Sequence, residues 1–309
     1  MLRATDRKLT SWAPLVAALL FAVTPGHSQE SPAEPSLGAA AKPTETLLRL
    51  LTFNIRIGYI PDGPRGWNFR RPAVLEVFRT YRPDIVGTQE CTAVQANELL
   101  LELPDYRTVG RLRTGEELVG LMNVIFYRPE DLERLEDGVF WLSDDPARRG
   151  SVGWGNDHPR TARWCRFRRR ADGRELLVID THLDHRSAES RDRSGPLIAT
   201  RARDLSRGAA VIVMGDFNCG LDSASYAAMT SPPEQGGLGL VDSLRELHAA
   251  QEADNGTYHA FTGKGERRID FVFASHALAP VRAEVVRLAR DGQWPSDHFP
   301  VFAEVRVDR

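Results

Sequence analysis

The sequence predicts an α/β fold, and three observations carry that prediction. Short apolar runs alternate with helical segments from residue 47 to residue 309, which is the rhythm of an α/β domain. The run Val211-Ile212-Val213-Met214 is apolar at every position, as a strand buried on both faces must be. That run leads into Asp216 and Asn218, which stand two apart and so point to the same side of an extended chain. A polar turn after a core strand would explain one such ending. The chain has several.

Ahead of the fold, Arg3, Arg7 and Lys8 precede an apolar run from Trp12 to Val23, followed by Pro25, Gly26 and Ser28. This is the layout of a secretory signal, cut after Ser28; the run falls well short of the ~20 residues that span a bilayer, so no stable membrane anchor is expected. Residues 29–46 are rich in Pro, Ala, Ser and Glu and read as a disordered linker. Loss of 1–28 removes three basic residues and one acidic residue, and takes the formal charge from −2 to −4. Such a chain does not coat nucleic acid electrostatically; nucleic acid could be met only as a substrate at the site. A secreted or periplasmic monomer, one domain from 47 to 309, is expected.

Leu47 to Phe53 is predicted as a strand ending at Asn54, followed by a Gly/Pro-rich loop from Gly58 to Gly66. Pro72 is read as opening a helix, with Val74, Leu75, Val77, Phe78 and Tyr81 on one face, stopped at Pro83. Asp84 to Glu90 is a second strand with a carboxylate at its end, and Thr92 with Gln95 forms a capping box for a helix through Leu103. Leu121 to Tyr127 and Gly138 to Ser143 are further strands. Arg163 to Arg168 reads as a half-exposed hairpin edge, turned at Asp172-Gly173. Glu175 to His182 is apolar with a polar tip, Pro196 is read as starting a helix through Arg207, and Ser223 to Met229 is helix-like. Arg268 to Ala274 and Val301 to Val307 complete the strands. Cys91, Cys165 and Cys219 are odd in number, so at least one stays free; small buried side chains are expected. No Cys/His zinc spacing is present.

The polar tips are Asn54, Glu90, His182, Asp216, Asn218, Asp270, Asp297 and His298. In α/β sheets such ends share one edge, where ligands bind. Carboxylates and carboxamides suit a hard cation, Mg²⁺ with Mn²⁺ as the alternative. A divalent cation beside histidines and an arginine equips a chain for phosphate-ester hydrolysis. Each residue also has a plainer reading: Asn54 could bind backbone, Glu90 could cap the following helix, and Arg160 could be an ordinary surface arginine. His185 reads as a solvated loop residue, and Asp184 as a support for a histidine or only for its loop.

Phe53-Asn54, Gln89-Glu90, Thr181-His182-Leu183-Asp184, Gly215-Asp216-Phe217-Asn218, Arg268-Ile269-Asp270 and Ser296-Asp297-His298 occur in an order that resembles the endonuclease/exonuclease/phosphatase superfamily, that of deoxyribonuclease I and exonuclease III. Phe140 to Ser143, Gly153-Trp154 and Pro295 to Val301 look like its exported bacterial branch of metal-dependent hydrolases. The resemblance implies a four-layer α/β sandwich, two packed mixed sheets flanked by helices. It implies Glu90 as the main metal ligand, with Asn54 and Asp297 nearby. Asp216 would position or deprotonate the attacking water, and Asn218 would hold water or phosphate. His298, braced by Asp270, and His182 would contact the phosphate, and Arg160 would lie near the substrate. One departure stands out: the glutamate that braces the first histidine in deoxyribonuclease-like members is replaced here by Leu121 or Met122, leaving Asp180 or Asp184 to substitute.

The combined expectation is an exported Mg²⁺-dependent phosphoesterase acting on a phosphodiester or phosphomonoester. Its rivals are a secreted nuclease, a non-catalytic binding module on the same fold, and a sphingomyelinase-like hydrolase, for which no exposed aromatic hairpin is evident.

Overall fold

The computed structural model describes residues 47–307 apart from 111–114, 116, 117, 119, 121 and 251–254. The expected export signal, the linker and Leu121 lie outside the described residues.

Two six-stranded mixed sheets form the centre. The first has the order β11 (Leu278–Val285), β12 (Val301–Val307), β1 (Leu47–Asn54), β2 (Ile85–Gln89), β4 (Val124–Tyr127), β3 (Arg107–Thr108). The second has the order β5 (Leu132–Trp141), β6 (Thr161–Arg169), β7 (Glu175–His182), β8 (Ala210–Asp216), β10 (Asp270–Ala274), β9 (Val241–Asp242). β1 and β2 run parallel, as do β7 and β8; the other pairings are antiparallel.

Strand alternation builds the layers. Leu48 and Leu50 of β1 and Ile85 of β2 face inward against Val178, Ile212, Met214 and Val272 of the second sheet. Leu51, Phe53 and Val86 face outward beneath α1 (Trp67–Tyr81) and α2 (Ala93–Glu102). Val211, Val213, Phe271 and Phe273 face outward beneath α3 (Ala188–Ser206) and α4 (Ala224–Thr230). The result is helix, sheet, sheet, helix. The same parity that points Leu50 and Ile212 inward carries Asn54 and Asp216 to the inner face at one end of the sandwich.

The Thr92–Gln95 capping box forms as the sequence predicts. Two helices start earlier than their prolines imply. Pro72 lies inside α1, which begins at Trp67 with Gly66 as its cap; the carbonyl that Pro72 deprives of a helical partner is that of Asn68, an exposed residue. Pro196 lies inside α3, capped at Ser187, whose hydroxyl accepts from Ser190 N–H. β6 is not an edge. It lies between β5 and β7, with Arg163 and Arg169 buried. Its charges are paired with the strands on either side: Arg168 meets Glu175 of β7 at 3.0 Å and Glu133 of β5 at 3.3 Å, and Arg166 pairs with Glu175. β3, β9, β11 and α5 (Ser243–His248) were not anticipated. The three cysteines are free; Cys91 and Cys165 are buried and Cys219 is half-buried. No helix among the described residues is long and apolar enough to cross a membrane.

Candidate active site

The ends of β1, β2, β7 and β8, the start of β10 and the segment before β12 deliver the polar side chains to one place. Near the end of β8, Gly215 has φ +150°, and a Cβ there would sit 2.0 Å from the carbonyl oxygen of Thr181. Only glycine allows β7 and β8 to approach so closely at the tip. The close approach sets His182 beside Asp216, with Nε2 3.5 Å from Oδ2. The chain then turns through Asn218 at φ 51°, whose N–H donates to Asp216 Oδ1 at 2.9 Å and whose side chain donates to Leu183 O at 3.1 Å.

From the first sheet come Asn54 and Glu90. Asn54 Nδ2 donates to Asp216 Oδ2 at 3.0 Å and lies 3.2 Å from Glu90 Oε1. Its Oδ1 accepts from Arg56 N–H at 3.0 Å. Glu90, one residue past β2, would face outward in a regular strand. Its φ of 56° re-aims it, and Oε2 accepts from Ile57 N–H at 3.0 Å. Positive φ at residues other than glycine is costly and gathers at functional sites; Arg56, Glu90 and Asn218 all show it.

The segment before β12 brings Asp297 and His298. His298 Nδ1 lies 3.0 Å from Asp270 Oδ2, and its Nε2 lies 3.8 Å from Asp216 Oδ2. Asp297 Oδ2 is 3.4 Å from Arg56. All eight predicted tips therefore converge, and six of them (Glu90, His182, Asp216, Asn218, Asp297, His298) line one cavity of about 570 Å³. Asn54 and Asp270 stand behind it, each bonded to a lining residue. A larger hollow of about 800 Å³ opens near Leu47 among Arg49, Asp84, Asp131 and Arg169, and contains none of the tips.

Electrostatics separate the roles. Burial, with Asp270 close by, pushes Asp216 up to about 7. Burial opposes charge on His298, but Asp270 and Asp216 together outweigh it and raise the imidazole to about 10. Burial, reinforced by Arg160, lowers His182 well below its ordinary value, so its ring is neutral.

Arg160 is not an ordinary surface arginine. It is 9% exposed, lines the cavity and donates to Asp184 Oδ2 at 3.1 Å. Neither proposed substitute for the missing glutamate bonds to His182. Asp180 is buried between the sheets and accepts from Gln89 Nε2 at 2.6 Å; Asp184 is taken up by Arg160 and by the N–H groups of Arg186 and Ser187.

Sequence reasoning missed four participants, one of them His185, which lines the cavity beside Arg160. Arg56 bridges Asp297 and Asp62. Arg70 is wholly buried and donates to the carbonyls of Ile55, Arg56, Arg65 and Pro295, tying the loop after β1 to the segment that carries Asp297. Thr257 accepts from Asp270 N–H at 3.2 Å. Only Arg56, two residues after Asn54, carried a usable signal.

The donor set fits a hard divalent cation. Carboxylates of Glu90 and Asp216 crowd one neutral amide nitrogen of Asn54, a concentration of negative charge that a cation relieves. Asp216, Asp270 and His298 also cluster, with ligand atoms within 4.8 Å of one another. A protonated imidazole offers no lone pair, however, so those three read as a charged imidazole bonded to Asp270 and set near Asp216, rather than as a cage.

Residues 51–298 match the Endonuclease/Exonuclease/phosphatase family. A solved member of that family from Bacteroides thetaiotaomicron is 30% identical, with TM-score 0.73 over 85% of this chain and 99% of that one. A mannosyl-6-phosphatase of Bacteroides thetaiotaomicron is 31% identical, with TM-score 0.71 over 84% and 99%. An uncharacterised protein of Acanthamoeba polyphaga mimivirus is 28% identical over 160 residues, 49% of this chain and 59% of that protein, so the match takes in little more than half of that relative. By its sequence, its paired sheets and the order of its strand-tip residues, this chain belongs to the endonuclease/exonuclease/phosphatase family.

Proposed function

We propose that the protein is an exported phosphoesterase, dependent on Mg²⁺ or Mn²⁺, that cleaves a phosphodiester or phosphomonoester of modest size by direct in-line attack of water. The observation that carries this reading is the position of Asp216. It is buried, raised to about 7, steadied by Asn54 and Asn218, and set against both His182 and His298 at the cavity floor.

Glu90, with Asn54 and Asp297, would hold the cation, which when bound would offset charge on a phosphoryl oxygen. Asp216 takes the proton of the attacking water; a base with a pKa near the working pH suits that task. Asn218 fixes the orientation of Asp216 through its N–H. His298, kept charged by Asp270, donates Nε2–H toward the phosphoryl oxygens as negative charge builds on them. His182, neutral, donates to the same group, and Arg160 lines the approach. On this reading water attacks phosphorus directly, with Asp216 taking its proton, and no covalent intermediate enters.

A cavity of about 570 Å³ and the acidic formal charge favour a compact ester over duplex DNA. The mannosyl-6-phosphatase among the structural relatives puts sugar phosphates first among substrates to try. The test is a panel of phosphoesters with Mg²⁺, with EDTA, and with Asp216→Ala. At least one ester is hydrolysed, and EDTA and the substitution each abolish it. Hydrolysis that survives Asp216→Ala unchanged overturns the mechanism. Secretion is checked by fractionating cells that express the full chain.

A further inference from the structure

Arg160 and His185 line one side of the cavity, with Asp184 buried behind them. Asp184 accepts the N–H groups of Arg186 and Ser187 at 2.9 and 2.8 Å through one oxygen, and Arg160 Nε at 3.1 Å through the other. Arg160 NH2 lies 2.9 Å from His185 Nδ1. A guanidinium has donors and no acceptor, so Nδ1 of His185 must accept. The ring is then neutral with its proton on Nε2, which has no partner among the described residues. His185 is exposed and lines the cavity, so Arg160 fixes a hydrogen-bond donor at the cavity wall.

The charge on this wall decides what it can bind. Asp184 and Arg160 cancel, and His185 adds none. A wall that presents N–H groups without net charge discriminates little in favour of a second phosphate. It is matched to uncharged oxygens. The phosphoryl group itself is provided for elsewhere, by His182, His298 and the cation that Glu90, Asn54 and Asp297 would hold.

We infer that Arg160 and His185 form a subsite for hydroxyl groups on the alcohol portion of the substrate, with His185 Nε2–H donating to one of them. The substrate class is then a phosphoester of a polyhydroxylated alcohol. This inference rests on the phosphoesterase reading above and adds to it which part of the substrate this wall recognises.

The test compares mannose 6-phosphate with phenyl phosphate, whose alcohol carries no further hydroxyl, on wild type, His185→Asn and His185→Gln. Asn can still accept from Arg160 but has no group at the Nε2 position; Gln puts an N–H there. His185→Asn should lower the wild-type preference for the sugar ester about tenfold, through KM rather than kcat, and His185→Gln should recover most of it. Equal losses on both esters, or no wild-type preference for the hydroxylated one, would overturn the subsite. Calorimetric titration of Asp216→Ala with mannose 6-phosphate separates the two claims. Binding without hydrolysis by any wild-type preparation strikes the phosphoesterase reading alone. Binding that His185→Asn leaves intact strikes the subsite alone.

Discussion

Asn54 Nδ2 stands 3.0 Å from Asp216 Oδ2, and that single hydrogen bond joins the tip of β1 in one sheet to the tip of β8 in the other. It also brings Glu90 to the same amide, at 3.2 Å. With the amide removed, two carboxylates face each other without a donor between them. Asn54→Ala should therefore lower kcat/KM by about 100-fold and stability by about 1–3 kcal/mol, the cost of leaving a buried acceptor unpaired. Urea unfolding beside steady-state kinetics checks both numbers; wild-type turnover in the variant would mean the link is incidental.

Cation binding should be visible without any substrate. If Glu90 is the main ligand, Mg²⁺ at 100 times its dissociation constant stabilises the wild-type fold by about 2.7 kcal/mol, and Glu90→Gln loses most of that gain. Thermal melts with and without Mg²⁺ decide it. Equal stabilisation of the two proteins would move the cation to another set of residues.

His298 makes metal-free stability depend on pH. Its pKa is raised to about 10 in the fold, against about 6.5 for an unperturbed imidazole. The stability drawn from the charged ring is complete below pH 6.5 and drains away as pH climbs toward 10. In EDTA, the difference in unfolding free energy between wild type and His298→Asn should shrink across this window by up to about 1.4 kcal/mol per pH unit. A difference that stays constant from pH 6.5 to 9.5 contradicts the assignment of the proton to His298.

Arg70 is a guanidinium with no exposure, satisfied by four carbonyls. Burial lowers it only to about 10, so it stays charged at neutral pH. Arg70→Met leaves those carbonyls without their donors and should cost about 3–5 kcal/mol, the range for breaking up a buried charged cluster. Arg70→Lys, which cannot fan out to four acceptors, should fall between. Guanidinium denaturation curves give the values; a fully stable Arg70→Met would show that the two loops hold their places unaided.

The strand tips were legible because buried strands admit almost no polar residues. Asp216 after Val211–Met214 and His182 after Leu176–Ile179 stand out against apolar surroundings. Helix starts were less legible: Pro72 and Pro196 look like first-turn prolines, and only the capping by Gly66 and Ser187 shows that each helix begins earlier. Arginines were the hardest. A chain rich in solvated arginine gives no sign that Arg70 will be enclosed by carbonyls, or that Arg163 will be buried mid-sheet. His185 looked solvated because its bond to Arg160 spans 25 positions, and nothing local announces it.

β12 lies between β11 and β1 in the first sheet, and Asp297 and His298 come immediately before it in the chain. Every other described strand of the domain has thus left the ribosome before β1 gains this neighbour and before the imidazole meets its two carboxylates. A growing polypeptide carries Glu90 and Asp216 for most of its synthesis with no finished machinery around them. Turnover should consequently require the β12 segment, and a nascent chain stalled short of Val301 should be inert toward any ester it meets.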